Sequence, residues 1–245
     1  MSIPTYIVFA ATGGIGSETA RRLAKQDYRV VLVGRSAPKL AELSNELKAQ
    51  TFEIDVAEPE SVEDVARKVF EEHGRIDGMT NCAGSLLLKP AHMTSQEDWN
   101  TTMKANLDTA FSVVRAAGKV MTDGGSVVLV SSAAARLGLA NHEAIAAAKA
   151  GVVGLMLSAS ATYGSRGLRF NAVAPGLVKT PMTERITRSE TAKKSSEAMH
   201  AVGRLGEPGD VASMITWLLD PQQSWVTGQV FGVDGGLATV RTRGS

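Results

Sequence analysis

The sequence predicts an α/β chain built on one doubly wound parallel sheet of about seven strands. Three observations carry that prediction. Short β-branched runs alternate with amphipathic helical stretches along the chain, the strand-like runs are near-continuous in Val, Ile and Leu, and a glycine-rich turn joins the first run to the first helical stretch. Strands that are apolar on both faces need helices on both sides, which is the condition of a buried parallel sheet.

In chain order the strand candidates are YIVFA (6–10), RVVLVG (29–34), QTFEID (50–55), DGMTNCA (77–83), SVVLVS (126–131), LRFNAVA (168–174) and QVFGVD (229–234). Helical periodicity fills 17–26, 37–49 and 61–74, the last ending in His73-Gly74, a plausible stop signal. HEAIAAAKAG (142–151) reads as the opening of a long buried helix with a single lysine, Lys149. No repeat, low-complexity tract or linker divides the chain, so residues 1–245 are expected to form a single domain. The longest stretch without a strand, about 179–207, mixes charges with Ser, Thr and Met and reads as a helical lid. The plainer reading of that stretch is a surface insertion.

Composition narrows the partners. Hydrophobic residues make up 44% and charged residues 21%, ordinary for a globular protein with a sizeable core. Lys+Arg (26) nearly balance Asp+Glu (25), so neither nucleic acid nor an anionic membrane is implied as a partner. Cys82 stands alone, which argues against an internal disulfide and a cysteine-cluster metal site, and no metal is expected. The opening MSIPTYIVFAATGGIG has no basic n-region and breaks quickly into Thr and Gly, so it reads as a first strand and not a signal peptide. No segment is read as reaching the ~18 apolar residues of a membrane span, and a cytoplasmic location is the expectation.

The turn after the first strand, AATGGIGSETA (10–20), offers Ala10, Thr12, Gly14, Ile15 and Gly16 to a ligand. Glycines let backbone N–H groups approach a pyrophosphate, and the helix N-terminus that follows favours negative charge. The second strand ends Val33-Gly34-Arg35-Ser36, where NAD-binding folds of this kind usually place an acidic residue for the ribose hydroxyls. Arg35 offers a guanidinium to a 2′-phosphate and Ser36 a further donor, which favours NADP(H). The plainer reading is that Arg35 solvates the strand end.

From about Thr5 to Gly236 the chain resembles the short-chain dehydrogenase/reductase family. The resemblance rests on the glycine-rich turn (10–16), Asp55-Val56, NCAG (81–84), Asn106 in KANLDTAF, Ser131-Ser132, Lys149, APGLVKTPM (174–182) and VDGG (233–236), in order and at family-like spacing. The chain's ending resembles the ketoacyl-reductase-like branch. The resemblance implies a Rossmann-type fold, an NADP(H) cofactor, a small-molecule substrate and a homo-oligomer, tetramer or dimer, built on the helices beginning near Asn106 and His142. It implies that Asp55 and Val56 meet the adenine, and that Asn81, Ala83 and Gly84 lie in a turn that packs against the cofactor and braces the sheet. Pro175, Gly176, Val178 and Thr180 would hold the nicotinamide amide. Asn106 would help hold a relay water, Ser132 would bond the substrate oxygen, and Lys149 would bind the nicotinamide ribose. Each of the last three also has a structural reading: a strand-end cap, a bond to helix backbone, and ribose binding alone.

Two positions depart from the family pattern. Ala10 replaces the first glycine of the turn, a change expected to be mild if its φ stays negative. Ile145 stands four residues before Lys149, where the family has a tyrosine. Hydride addition to a carbonyl leaves an alkoxide that needs a proton, and isoleucine has none to give. General acid catalysis is worth roughly 10²–10⁴-fold, or about 3–5 kcal/mol of barrier. Tyr6 and Tyr28 belong to the sheet, and Tyr163 lies about five turns along the helix. Three readings follow. His142, three residues before Ile145 and on the same helix face if the helix starts early enough, supplies the proton, with Glu143, His92 and His200 as further candidates. Alternatively the substrate, a protonated imine or an activated C=C, needs no enzyme acid. In the third reading the chain binds NADP(H) without turnover, as a sensor or assembly subunit. The expectation is an NADP(H)-dependent oxidoreductase transferring hydride to a C=O, C=N or activated C=C substrate at an atypical centre of Ser132, Lys149, Asn106, His142 and Ile145.

Overall fold

The computed structural model describes residues 3–241. Its strands are β1 (Thr5–Phe9), β2 (Arg29–Gly34), β3 (Gln50–Glu53), β4 (Gly78–Asn81), β5 (Gly125–Val130), β6 (Leu168–Pro175) and β7 (Val230–Val233). They form one seven-stranded sheet in the order β3-β2-β1-β4-β5-β6-β7, and every pairing is parallel. The helices are α1 (Gly14–Ala24), α2 (Ala37–Leu47), α3 (Pro59–His73), α4 (Gln96–Met103), α5 (Thr109–Val120), α6 (Glu143–Tyr163), α7 (Glu184–Thr187), α8 (Glu190–Met199) and α9 (Pro208–Leu219).

The two-residue period of the strands divides their side chains between two cores. Ile7, Phe9, Val31 and Val33 pack with Val62 and Val69 of α3, Val113 of α5, and Val152 and Met156 of α6. Tyr6, Val8, Val30 and Leu32 pack with Leu23 of α1, Leu40 of α2, and Ile215 and Leu218 of α9. Each such side chain contributes about 1.5–3 kcal/mol by leaving water, which is why these runs carry no polar alternation. The sheet is therefore wound on both faces. The chain leaves β1 for β2 on one side and returns past it to β4 on the other. At that reversal the crossovers diverge and leave a crevice at the carboxyl ends of the strands.

Element boundaries differ from the sequence reading where turns intervene. β3 stops at Glu53 because Asp55 makes a tight turn, its Oδ1 accepting the Ala57 N–H at 3.1 Å and its carbonyl the Glu58 N–H at 3.1 Å. The first helix begins at Gly14 and not at 17, because the last glycines of the turn already lie in it. A correction concerns α6. By length and composition, Glu143–Arg166 is long and apolar enough to cross a membrane, with a mean hydropathy of 1.6. Its apolarity comes largely from Ala, Val, Leu and Met that serve a core helix: Val152 and Met156 are buried in the sheet's core cluster, and Lys149 is buried on the same helix. Residues 179–207 carry α7 and α8. The two ends of this segment meet in a short parallel bridge between Val178 and Gly206, with the Lys179 N–H donated to the Gly206 carbonyl at 2.9 Å.

Candidate active site

A cleft of about 870 Å³ opens at the carboxyl ends of the central strands, within the usual range for a small-molecule site. Every expected site residue lines it except Asn81 and two of the alternative proton donors, His92 and Glu143. Asn81 is buried behind the wall, where its Oδ1 accepts the Ala83 N–H at 3.0 Å and its Nδ2 donates to Thr109 Oγ1 at 3.1 Å. It braces the turn after β4 and does not face the cleft. A smaller hollow of about 270 Å³, lined by Tyr28, Leu47 and His73 among others, contains none of the expected residues.

The turn after β1 forms one end of the cleft. Ala10 has φ 54, so the expectation of a negative angle is corrected: this alanine sits in the left-handed region that favours glycine. Its carbonyl accepts the Gly13 N–H at 3.1 Å, closing the turn. A Cβ on Gly16 would lie 2.4 Å from that carbonyl oxygen, so only glycine fits where α1 begins. Gly13 caps α1 with no side-chain bond, leaving the first N–H groups of the helix open toward the cleft. The second anion-favouring end is α2, whose cap Ser36 also makes no side-chain bond. Arg35 and Lys39 flank it, both exposed and both without a side-chain partner among the described residues. Lys39 was missed in the sequence reading; its position one turn after Arg35 on the following helix was the available signal. Two helix starts without side-chain caps, a glycine cradle and two cations without a side-chain partner among the described residues fit the phosphates of a dinucleotide. Asp55 and Val56 lie on the far wall, with Lys104 Nζ 3.9 Å from the Asp55 carboxylate.

The other end gathers the residues expected to do chemistry. Lys149 is 6% exposed, and its ammonium donates to the Val130 carbonyl at 2.8 Å. Burial pushes this ammonium down to about 8. Ser131 fastens α6 to β5 by donating from its Oγ to the Lys149 carbonyl at 2.9 Å. Between α4 and α5 the backbone widens into a π-helical turn over Lys104–Asp108, which carries Asn106. Asn106 accepts the Ser85 N–H at 3.2 Å and donates to Ser85 Oγ at 3.0 Å and the Thr102 carbonyl at 2.9 Å. A side chain at Gly84 would strike Asn106 Oδ1 at 2.9 Å and Lys149 Nζ at 3.4 Å, so this turn closes tightly over both. Ser132 Oγ accepts the Ala134 N–H at 3.1 Å and so caps the short 3-10 turn Ala133–Ala135 that follows β5, not the strand end itself. Its own hydroxyl proton has no acceptor among the described residues.

Ile145 is 3% exposed and forms part of the cleft wall one turn before Lys149. The tyrosines are elsewhere: Tyr6 stacks near Tyr28 at 5.1 Å, and Tyr163 near Phe170 at 5.7 Å. Helix α6 begins at Glu143, so His142 is its cap residue and lies just ahead of the helix face that carries Ile145 and Lys149. Its Nδ1 lies 2.7 Å from the Ala140 carbonyl. A carbonyl only accepts, so Nδ1 bears the proton; His142 lines the cleft, and its Nε2 has no hydrogen-bond partner among the described residues. The other candidates fall away on geometry. His92 and Glu143 do not line the cleft. His200 lines it, but both ring nitrogens are engaged, Nε2 by the Leu177 N–H at 3.2 Å and Nδ1 by the Ser196 carbonyl at 2.6 Å.

Comparison with known proteins fixes the lineage of this arrangement. Residues 9–238 match the family model described as enoyl-(acyl carrier protein) reductase. The chain is 34% identical over 242 residues to the 3-oxoacyl-(acyl-carrier-protein) reductase of Thermotoga maritima, covering 94% of this chain and 96% of that protein.

The chain belongs to the short-chain dehydrogenase/reductase family.

A further relative in the family is the D-threitol dehydrogenase of Mycolicibacterium smegmatis, 32% identical and matched over 94% of this chain and 91% of its own length. Among solved structures, a short-chain type dehydrogenase/reductase from Mycobacterium ulcerans superposes with a TM-score of 0.93 at 31% identity, covering 98% of this chain and 92% of that one. An actinorhodin polyketide ketoreductase variant, solved with NADPH, superposes with a TM-score of 0.91 at 29% identity, over 98% of this chain and 100% of its own. Membership of the short-chain dehydrogenase/reductase family makes this chain an oxidoreductase with a nicotinamide cofactor.

Proposed function

We propose that the chain is an NADP(H)-dependent reductase of small, uncharged molecules, acting on a C=O or an activated C=C, with His142 in place of the missing tyrosine. The observation that carries this reading is the pairing of Ile145 in the cleft wall with a His142 whose Nδ1 is tied to a carbonyl and whose Nε2 is free. An imidazole held by its Nδ1–H presents a lone pair at Nε2, so it acts as a general acid once Nε2 has taken a proton from water, which it then passes to the substrate.

In this reading the turn residues Thr12, Gly14, Ile15 and Gly16 hold the pyrophosphate, and Arg35, Ser36 and Lys39 take the 2′-phosphate that selects NADP(H). Asp55 and Val56 flank the adenine, Ala83 and Gly84 pack against the cofactor, Lys149 binds the ribose, and Pro175, Gly176, Val178 and Thr180 face the nicotinamide amide. The bound nicotinamide supplies a hydride. The chain's own residues deal with the charge left on the substrate: Ser132 donates its unspent hydroxyl proton as a hydrogen bond to the substrate oxygen, and His142, protonated at Nε2 by water, delivers that proton to complete the alcohol or saturated product and returns to the neutral Nδ1–H form. Asn106 holds the turn at Ser85 in place, and Lys149 holds the positive charge beside the reacting atoms.

The protonated imine among the three expected substrates is disfavoured by charge. Of the cleft-lining residues Asp55 is the only carboxylate; it lies at the adenine end, while the substrate end is walled by Leu86, Leu88, Leu139, Ile145, Met182 and Ile186. An iminium there would be stripped of water without a counter-ion. The protein is proposed to act in the cytoplasm as a homo-oligomer through α5 and α6, which expose Phe111 and Leu157. Purified protein should oxidise NADPH faster than NADH with at least one ketone or enone of a mixed panel. Tight NADPH binding with silence across the panel would assign the chain instead as a non-catalytic sensor or assembly subunit.

A further inference from the structure

His200 ends the lid helix α8 and is only 3% exposed, yet it has no task in the chemistry proposed above. The Leu177 N–H reaches its Nε2 at 3.2 Å, and a backbone N–H only donates, so Nε2 must be the acceptor. Nδ1 then carries the ring proton and gives it to the Ser196 carbonyl, 2.6 Å away and one turn back on α8. The two bonds fix one neutral tautomer and run from α8 through the ring to the peptide joining Gly176 to Leu177.

The surroundings leave the ring little choice of position. A Cβ on Gly176 would lie 2.6 Å from His200 Nε2, so the ring occupies the space that any other residue there would fill. On its other side, a Cβ on Gly235 would lie 3.5 Å from His200 Cβ. The nearby Asp234 carboxylate is committed to the Gly236 and Ala238 N–H groups, both at 3.0 Å, and does not compete for the ring. Leu177 is thus held at both polar groups by the closing end of the lid: its N–H by His200, and its carbonyl by the Gly206 N–H at 2.9 Å.

We propose that His200 is the latch of the lid, a positioning residue that ties α8 to the Gly176–Leu177 peptide, so that docking the lid and setting the cofactor-facing segment are one event. The second half of this statement rests on the reading that residues 175–180 face the nicotinamide. Losing the latch leaves the half-buried Leu177 N–H without its protein partner, which costs more than the loss of an ordinary exposed bond.

The test separates the two bonds by side-chain reach. A glutamine amide can take the place of Nε2 and an asparagine amide that of Nδ1, whereas phenylalanine keeps the ring and loses both bonds. Amide exchange of Leu177 and of residues 190–199 is measured on the ligand-free protein, and NADPH affinity is measured by fluorescence. His200→Phe and His200→Asn should exchange at Leu177 about tenfold faster and bind NADPH about tenfold more weakly, with His200→Gln close to wild type. Should the phenylalanine variant fail to fold, the contrast between Gln and Asn carries the same comparison. Unchanged exchange at Leu177 in the Phe and Asn variants, or equal effects of Gln and Asn, overturns the latch. Faster exchange with undiminished NADPH affinity overturns its coupling to the cofactor segment. A wild-type protein that binds no dinucleotide refutes the proposed function, while the exchange pattern still decides whether His200 latches the lid.

Discussion

Replacing Ala10 with glycine should stabilise this protein, although a glycine introduced into a chain ordinarily does the reverse. Ala10 holds φ at 54, where the Cβ of an L-residue crowds the following carbonyl. That conformation costs about 1–2 kcal/mol for alanine and almost nothing for glycine. Against the relief stands the greater freedom of glycine in the unfolded chain, about 0.4–1 kcal/mol. The balance is a gain of about 0.5–1 kcal/mol, worth roughly 1–4 °C in Tm for a chain of this size. Urea denaturation at constant m-value reads it as a higher midpoint. Gly16→Ala is the internal control: its new methyl would stand 2.4 Å from the Ala10 carbonyl oxygen, so it should destabilise by about 1–3 kcal/mol. A lower midpoint for Ala10→Gly would refute the reasoning, because it would mean that the turn holds residue 10 at negative φ and that the methyl packs favourably.

Three further outcomes follow from the site. Lys149 is held near 8 against its ordinary 10.5, so between those values the unfolded chain binds the proton and the folded chain does not. Stability should therefore rise with pH across that window, by about 3 kcal/mol in total, relative to Lys149→Met, whose urea midpoint lacks this rise; parallel pH curves for the two proteins would contradict it. Arg35→Ser should weaken NADPH binding by about tenfold or more while leaving NADH nearly unchanged, and an equal loss for both would remove Arg35 from the 2′-phosphate site. Ile145→Tyr should raise ketone reduction by roughly 10–10²-fold if the new hydroxyl lies in register with Ser132 and Lys149; no gain would indicate a pocket reshaped beyond that single position.

Much of the fold was legible because parallel strands buried on both faces need apolar side chains at every position. The runs at 29–34 and 168–174 left little doubt, and both became strands with the same first residue. The glycine turn, Lys149 and Ser132 were readable because each demand is local in sequence. What escaped the sequence depended on contacts made across the fold. Ala10 takes a positive φ where the chain leaves β1 for the glycine turn, and no composition rule distinguishes that from an extended alanine. His200 lies in the stretch read as a lid, and its burial depends on the approach of Gly176 from a distant part of the chain. Lys39 was not singled out from the sequence, and α2 places it on the same cleft as Arg35. The apolar content of α6 satisfies a membrane criterion for the same reason it satisfies a core helix, and only its packing on the sheet separates the two.

The central claim is that His142 supplies the proton Ile145 cannot. Its most direct measurement is single-turnover oxidation of bound NADPH by wild type and His142→Ala, with the best ketone or enone of the panel at saturation. The rate should fall by about 10² or more in the variant while NADPH affinity stays within about twofold. An equal rate in both proteins would contradict the claim and return the proton to water or to the substrate.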